Sequence, residues 1–159
     1  MPKPLRRPLL AAVITVLACA VLPAAHADTL WKWSFTGKGV TARGVLTTAD
    51  AGDAQGFHRI TSIEGRRNGE EIAALFPAGS AIPGNEGYPV DNLIRYDEGG
   101  MLTILGLGYC LKSGACANVF YDLKRTPAVY QEMSSRAGKM AETEGIFTAA
   151  PVVERAGSR

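Results

Sequence analysis

The sequence predicts an all-β, mainly antiparallel protein, built as a small β-sandwich or barrel. Apolar and polar residues alternate with a period of two over short runs, as they do in half-buried strands. Gly, Asn and Asp separate these runs, as is typical of antiparallel turns. A sandwich and a barrel suit this pattern equally. The strands that it predicts are 30–36, 40–46, 57–63, 72–76, 93–96, 101–110, 116–121 and 146–153.

The first predicted hairpin has the clearest alternation. Trp31, Trp33 and Phe35 share one face of the first run, and positions 32, 34 and 36 between and after them are polar. In the second run, small and apolar residues occupy one face, with Thr41 and Arg43 opposite. A Lys-Gly pair at 38–39 supplies the turn between the two runs. We therefore expect both strands to bury one face in the core.

A second hairpin is predicted around Asn68-Gly69, a pair that favours tight type I′ turns. The turn carries charges of both signs, among them Arg66 and Arg67. One interpretation is a solvated hairpin tip, because charged ends discourage edge-to-edge association of sheets. The other is that Arg66 and Arg67 bind an anionic ligand.

Cys110 and Cys116 lie in two β-like runs on either side of a Gly-containing turn. In an oxidising compartment this arrangement predicts a disulfide that staples a hairpin near its tip. Closing so short a loop contributes about 2–3 kcal/mol in the chain-entropy model. Redox-active pairs usually have C-x-x-C spacing in a βαβ setting, which these cysteines lack.

The C-terminal part of the chain allows two interpretations. Thr126-Pro127 fits the start of a helix, with the threonine as cap and the proline at the first helical position. Residues 126–140 therefore form either a short helix or a strand. A last strand over 146–153 then closes the sheet, and residues 155–159 are expected to be frayed.

The N-terminus has the three parts of a secretory signal peptide. Lys3, Arg6 and Arg7 precede an apolar run of 14 residues, and an Ala-His-Ala site ends at Ala27. The run is shorter than the roughly 20 residues that span a bilayer. We therefore expect cleavage between Ala27 and Asp28. The product would be a single β-rich domain over 28–159, periplasmic or secreted, with no transmembrane anchor.

Residues 16–19, Val-Leu-Ala-Cys, resemble the lipobox of bacterial lipoproteins, in which the cysteine is lipidated. The leucine lies one place closer to the cysteine than the usual motif prefers. Anchoring through Cys19 is therefore the alternative to soluble export.

The expected mature chain is close to neutral. Loss of the three basic residues of the signal leaves 14 Lys and Arg against 15 Asp and Glu, so the net charge changes from +2 to −1. Nucleic-acid binding needs a concentrated basic face, which the sequence does not indicate. The length of 28–159 is that of one domain, large enough to fold without a metal.

The sequence gives little support for an enzyme. His58 is the only histidine of the expected mature chain, and no nucleophile motif accompanies it. It falls in a predicted strand, where a place on the sheet surface is the simpler interpretation. One histidine and two oxidised cysteines do not supply the usual four zinc ligands. With no Gly-rich phosphate loop opening a helix, we expect no metal and no cofactor.

The most unusual segment is the run 77–92, which holds three prolines and three glycines and no strand pattern. Connections of this length in compact domains are often functional. Tyr88 offers an apolar ring with a polar tip, and Asn85, Asp91 and Asn92 offer side-chain oxygens. These four residues are the candidate ligand contacts. The alternative is that they hydrogen-bond the loop's own backbone.

Several stretches resemble uncharacterised exported bacterial proteins: residues 60–69 and 72–75, Ile82-Pro-Gly-Asn, and Pro89-Val-Asp-Asn-Leu. The segment 31–122 is similar to the β-rich ectodomains found ahead of PEP-CTERM sorting tails. This chain departs from the sorted forms because it lacks a C-terminal Pro-Glu-Pro motif, an apolar anchor and a basic tail. The resemblance implies a soluble exported β-rich domain, and it implies no activity and no catalytic residues.

Two hypotheses about function follow. The first is a non-catalytic binding or envelope-associated module. Its partner would be a small molecule, a glycan or an envelope component, bound by the 77–92 run or by exposed aromatics on a sheet face. The second is a small secreted hydrolase whose paired carboxylates, Asp91 with Glu64 or Asp97, meet only in the fold. We favour the binding module, since the sequence specifies no catalytic geometry.

Overall fold

The computed structural model describes residues 28–96 and 100–152. Within these residues the chain forms nine antiparallel β-strands and no helix, so the prediction of an all-β, antiparallel fold is confirmed. The strands are β1 (Thr29–Gly37), β2 (Val40–Gly52), β3 (His58–Arg67), β4 (Glu70–Leu75), β5 (Leu93–Ile94), β6 (Leu107–Leu111), β7 (Cys116–Asp122), β8 (Val129–Arg136) and β9 (Lys139–Pro151).

Eight of these strands close into a barrel, which decides between the two predicted architectures. The hydrogen-bonded order is β2-β1-β9-β8-β7-β6-β4-β3, and β2 pairs with β3, so the sheet returns to its first strand. The short β5 lies beside β3, outside this ring. A barrel of eight strands has an interior just wide enough for side chains to fill.

Aromatic side chains fill the barrel interior. Trp31, Trp33 and Phe35 point inward from β1 and are at most 4% exposed, as the alternation predicts. The ring of Trp33 stacks on Phe147 of β9 with centroids 6.3 Å apart, and it tilts against Tyr109 of β6 at 5.8 Å. Rings of this size dominate core energetics, because each removes a large apolar area from water.

A pair of facing glycines lets β2 and β3 approach closely where the barrel closes. Gly44 lies opposite Gly65 across the two strands. A Cβ atom at Gly44 would lie 1.8 Å from the carbonyl oxygen of Glu64. No side chain tolerates that distance, so the β2–β3 pairing depends on glycine at position 44.

Two predicted hairpins form as expected. Asn68 and Gly69 connect β3 to β4 with φ angles of 48° and 83°, as a type I′ turn requires. Cys110 of β6 lies opposite Cys116 of β7, and the two form a disulfide near the hairpin tip.

The segment 126–140 is strand rather than helix. It contains β8 and the start of β9, which are joined by a tight turn at Ala137-Gly138 with φ angles of 48° and 76°. Alanine rarely adopts a positive φ, so the sequence did not mark this turn. Because this turn was not predicted, the last strand was predicted to start at 146, whereas β9 begins at Lys139.

The 77–92 loop folds back onto the outer face of the barrel. Two backbone hydrogen bonds close it on itself, from Gly79 N to Val90 O at 2.8 Å and from Val90 N to Ser80 O at 2.9 Å. Val90 and Ile82 are buried. Gly108 on β6 makes room for the loop, since a Cβ atom there would lie 2.8 Å from Cγ1 of Val90.

Several sequence-based expectations concern residues outside the described ranges. They are the signal peptide over 1–27, with Cys19 and Ala27, together with Asp97 and the expected fraying of 155–159. They stay predictions. Among the described residues, no helix is long and apolar enough to cross a membrane.

Replacing Gly108 with alanine tests the docking of the loop. The new Cβ atom would lie 2.8 Å from Val90 and 2.9 Å from the Cβ of Phe76, so β6 or the loop must shift. We expect a loss of about 1–3 kcal/mol in the free energy of unfolding, measured by urea denaturation followed by tryptophan fluorescence. Gly87→Ala is the control, because a Cβ atom there meets nothing within 4 Å. Equal stability of the two variants would contradict the docked loop.

Candidate functional site

A cavity of about 300 Å³ lies between the 77–92 loop and the outer face of the barrel. Asn85 and Tyr88 of the loop line it. The apolar part of its lining comes from three other segments: Ile104 before β6, Phe120 and Leu123 at and after the end of β7, and Met133 on β8.

Phe120 and Met133 reach this cavity because they point away from the barrel core. Their neighbours Val119 and Glu132 lie opposite each other on β7 and β8 and are fully buried. Since successive side chains of a strand point to opposite faces, Phe120 and Met133 project outward. At these two positions the outer face is apolar.

Large apolar side chains are exposed around the cavity. Tyr88 is 44% exposed, Ile104 51% and Leu123 64%, and all three line it. Exposed apolar groups that gather on a concave surface are typical of a binding site, whereas scattered ones are ordinary.

The cavity has a polar rim centred on Lys124. Its ammonium donates a hydrogen bond to the Tyr88 hydroxyl at 3.1 Å and lies 5.4 Å from the centre of the Tyr88 ring. The hydrogen bond to Tyr88 raises the pKa of Lys124 above its usual value. Within the described part of the chain, no carboxylate lies within ion-pair distance of this ammonium. The rim thus holds one cation whose bonded partner is neutral.

Two carboxylates on the rim already have partners. Nε of Arg125 lies 3.5 Å from Asp122 Oδ2, and Nη2 of Arg125 lies 4.0 Å from Glu142 Oε1. Asp122 Oδ2 also accepts a hydrogen bond from the buried Gln131 side chain at 2.7 Å. Arg125 therefore offsets part of the negative charge of these two carboxylates.

Of the four loop candidates, Asn85 and Tyr88 line the cavity, whereas Asn92 holds the loop. The Asn92 side chain is 1% exposed. Its Nδ2 donates to Phe76 O at 2.7 Å, and its Oδ1 accepts from Gly108 N at 2.9 Å. The Asn92 backbone bonds to Ile60 and Gly106. Both polar atoms of this side chain are therefore hydrogen-bonded within the protein.

Asp91 also has partners within the protein. Its Oδ2 accepts the hydroxyl hydrogen bond of Thr103 at 2.5 Å, and its Oδ1 accepts from Leu93 N at 3.3 Å. Burial raises the pKa of Asp91 above its usual value, although the Thr103 and Leu93 hydrogen bonds oppose the shift. The Asp91 carboxylate thus binds residues that follow the loop in the chain.

Arg66 and Arg67 point to opposite faces of β3, so the structure separates them. Arg66 is exposed, and its Nη1 donates to Gly69 O at 2.9 Å. Arg67 turns into the barrel, where its Nε lies 3.0 and 3.1 Å from the two carboxylate oxygens of the fully buried Glu132.

The pair of Arg67 and Glu132 is completed by a third side chain, the buried Tyr109. Its hydroxyl donates to Glu132 Oε2 at 2.7 Å. Burial and the charge of Glu132 raise the pKa of Tyr109 well above its usual value. Burial lowers the pKa of Arg67, but its contacts with Glu132 outweigh that effect and raise it. Arg67 is therefore committed to neutralising a buried carboxylate, which would be costly if left alone.

Of the carboxylates proposed for a hydrolase, Glu64 and Asp91 do not line this cavity, and Asp97 lies outside the described residues. Glu64 is exposed and lines a shallow groove beside β2, β3 and β4, while Asp91 bonds to Thr103. His58 is half-buried, and its Nδ1 lies 3.2 Å from Ala49 O. These contacts do not bring Glu64 and Asp91 together.

Most of the cavity was not identified from the sequence. Ile104, Phe120, Leu123, Lys124 and Met133 come from three separate segments that only the barrel brings together. Phe120 and Met133 were not identified, because the loop that covers their face lies far away along the chain. Met133 falls in the segment 126–140, for which helix and strand both stayed open, and neither residue was assigned to a face.

Comparisons with known proteins identify no relatives. The chain matches no protein-family model, no curated protein and no solved structure.

Proposed function

We propose that this protein is an exported, non-catalytic binding module that takes a small amphipathic molecule in the cavity beneath the 77–92 loop. The observation that carries the proposal is the concave apolar surface of Ile104, Phe120, Leu123 and Met133, bordered by Lys124. Ligand sites are typically apolar concavities with a few well-placed polar groups.

The cavity sets the size and chemistry of the ligand. Its volume of about 300 Å³ lies at the lower end of ligand pockets, which suits a molecule of one or two rings or a short aliphatic chain. The apolar wall accepts the body of the molecule. Lys124 attracts an anionic or hydrogen-bond-accepting head, because its present partner, the Tyr88 hydroxyl, is neutral.

The barrel interior does not compete for this role. It is filled by Trp33, Tyr109 and Phe147, and its buried Glu132 carboxylate is already bound by Arg67 and Tyr109. A ligand therefore binds on the outer face, where the protein leaves apolar surface uncovered.

Export is part of the same proposal. The disulfide between Cys110 and Cys116 supports it, since disulfides persist mainly in oxidising compartments. The basic start, apolar run and Ala-His-Ala site of residues 1–27 supply the signal that export requires. The resemblance to ectodomains ahead of PEP-CTERM tails points to the same compartment.

The dye 1-anilinonaphthalene-8-sulfonate tests the binding site, because it joins an aromatic body to one anionic head. We expect saturable binding to the native protein with enhanced fluorescence. Leu123→Asn should weaken it by about tenfold, which corresponds to roughly 1.4 kcal/mol of lost apolar contact.

Ile146→Asn is the matched control for this dye experiment. Ile146 is 70% exposed and lies outside the cavity on β9, so the same substitution there should leave the dye affinity unchanged. An equal effect of both substitutions, or unsaturable binding, would argue against the cavity.

Intact mass spectrometry of protein purified from the envelope of an expressing bacterium tests export. The expected denatured mass is that of residues 28–159 less two hydrogens, which reports cleavage, disulfide and absence of lipid together. A mass beginning at Cys19 with acyl chains would replace soluble export with lipid anchoring. A full-length mass beginning at Met1 would contradict export.

A further inference from the structure

The side chain of Asn118 is an exception to the hydrogen bonding of the rest of the sheet. It is 0% exposed on β7, and neither its Oδ1 nor its Nδ2 has a hydrogen-bond partner among the described residues. Leaving a buried donor or acceptor unsatisfied is costly. An apolar side chain of the same size would avoid that cost, so the stability of the fold does not explain the presence of an amide at this position.

Asn118 lies beside the cavity. It points outward from β7, directly opposite Met133 and two residues before Phe120, and both of those residues line the cavity. Directly opposed side chains of neighbouring strands have Cβ atoms about 5 Å apart. On its other side is Gly108 of β6, over which Val90 of the loop packs. The amide therefore lies between a residue that lines the cavity and the part of β6 that the loop covers.

Met133 separates this amide from the cavity and can let a ligand reach it. Its side chain is only half-buried. Methionine is unbranched and has three rotatable bonds, so it adapts to new neighbours at little cost. Rotation of Met133 would join the amide to the apolar wall without moving the strands.

Among the side chains that the structure describes, one other buried polar group lacks a partner, and its surroundings differ. The indole N–H of Trp33 is unsatisfied among the described residues. Trp33 lies inside the barrel, where its ring packs against Tyr109 and Phe147. Asn118 is thus the unsatisfied side chain that borders the cavity.

We propose that Asn118 is the hydrogen-bonding end of the site and that it recognises an amide edge on the ligand, such as a primary carboxamide or a lactam. This inference rests on the proposed binding function. An asparagine side chain presents a donor and an acceptor side by side, and a carboxamide or lactam presents the complementary pair. A ketone, an ester or a carboxylate would leave Oδ1 without a donor.

If Asn118 serves binding, its unsatisfied amide lowers the stability of the free protein and raises its affinity for the ligand. Asn118→Leu keeps the size of the side chain and removes the unsatisfied amide. We expect this variant to melt roughly 4 °C or more above the native protein. A purely structural role for Asn118 requires the opposite change.

Two isosteric probes test the recognition of the amide. 3-Phenylpropanamide and 4-phenylbutan-2-one share a phenyl ring, chain length and carbonyl, and differ in an NH2 against a CH3 group. By calorimetric titration we expect the native protein to bind the carboxamide about tenfold more tightly, because the ketone leaves Oδ1 unpaired. Asn118→Leu should abolish the preference, whereas Leu123→Asn should weaken both probes equally.

A second measurement does not depend on any variant. The side-chain NH2 resonances of Asn118 in the nitrogen–proton spectrum of the native protein should shift on addition of the carboxamide. The response to the ketone should be smaller.

The outcomes separate this inference from the function on which it rests. The inference is overturned if the native protein shows no preference, if the preference survives in Asn118→Leu, or if the Asn118 resonances stay unmoved. It is also overturned if the carboxamide fails to bind protein that binds the anilinonaphthalene dye, although the binding function then stands. Loss of dye binding as well would remove both.

Discussion

The site depends on one buried side chain, Asn92, at the end of the 77–92 loop. Its amide bonds the carbonyl of Phe76 after β4 and the N–H of Gly108 on β6, while its backbone bonds Ile60 on β3 and Gly106. Asn92 adopts a φ of 52°, a conformation that asparagine tolerates better than most residues. A single residue thereby joins β3, β4 and β6 and fixes both ends of the loop.

With the loop fixed by Asn92, the proposed ligand site can be located. The interior of an eight-stranded barrel is filled by its own side chains, here by aromatic rings and by Arg67 neutralising Glu132. The proposed ligand site is therefore on the outer face, to which the loop gives a concave wall with Tyr88 at its edge. The barrel provides a rigid support, and the loop, the β7–β8 turn and Met133 provide side chains that line the cavity.

The sequence predicted the strands better than the site. Local alternation was enough for Trp31, Trp33 and Phe35, because strand faces are set by neighbours one or two residues away. The choice between sandwich and barrel stayed open, since the pairing of β2 with β3 that closes the barrel depends on a long-range geometry permitted by Gly44. Asn92 was proposed as a ligand contact, yet it holds the loop. Its chemistry suits either role, and only its burial identifies which one it has.

The most direct test of this account is native-state hydrogen exchange of the amides that the docked loop protects. They are those of Gly108, bonded to Asn92 Oδ1, and of Gly79 and Val90, which close the loop. A docked loop predicts protection of all three that approaches the protection of the amides of β1, because opening the loop would expose buried apolar side chains. Exchange of these amides at unprotected rates, with β1 still protected, would contradict a preformed cavity.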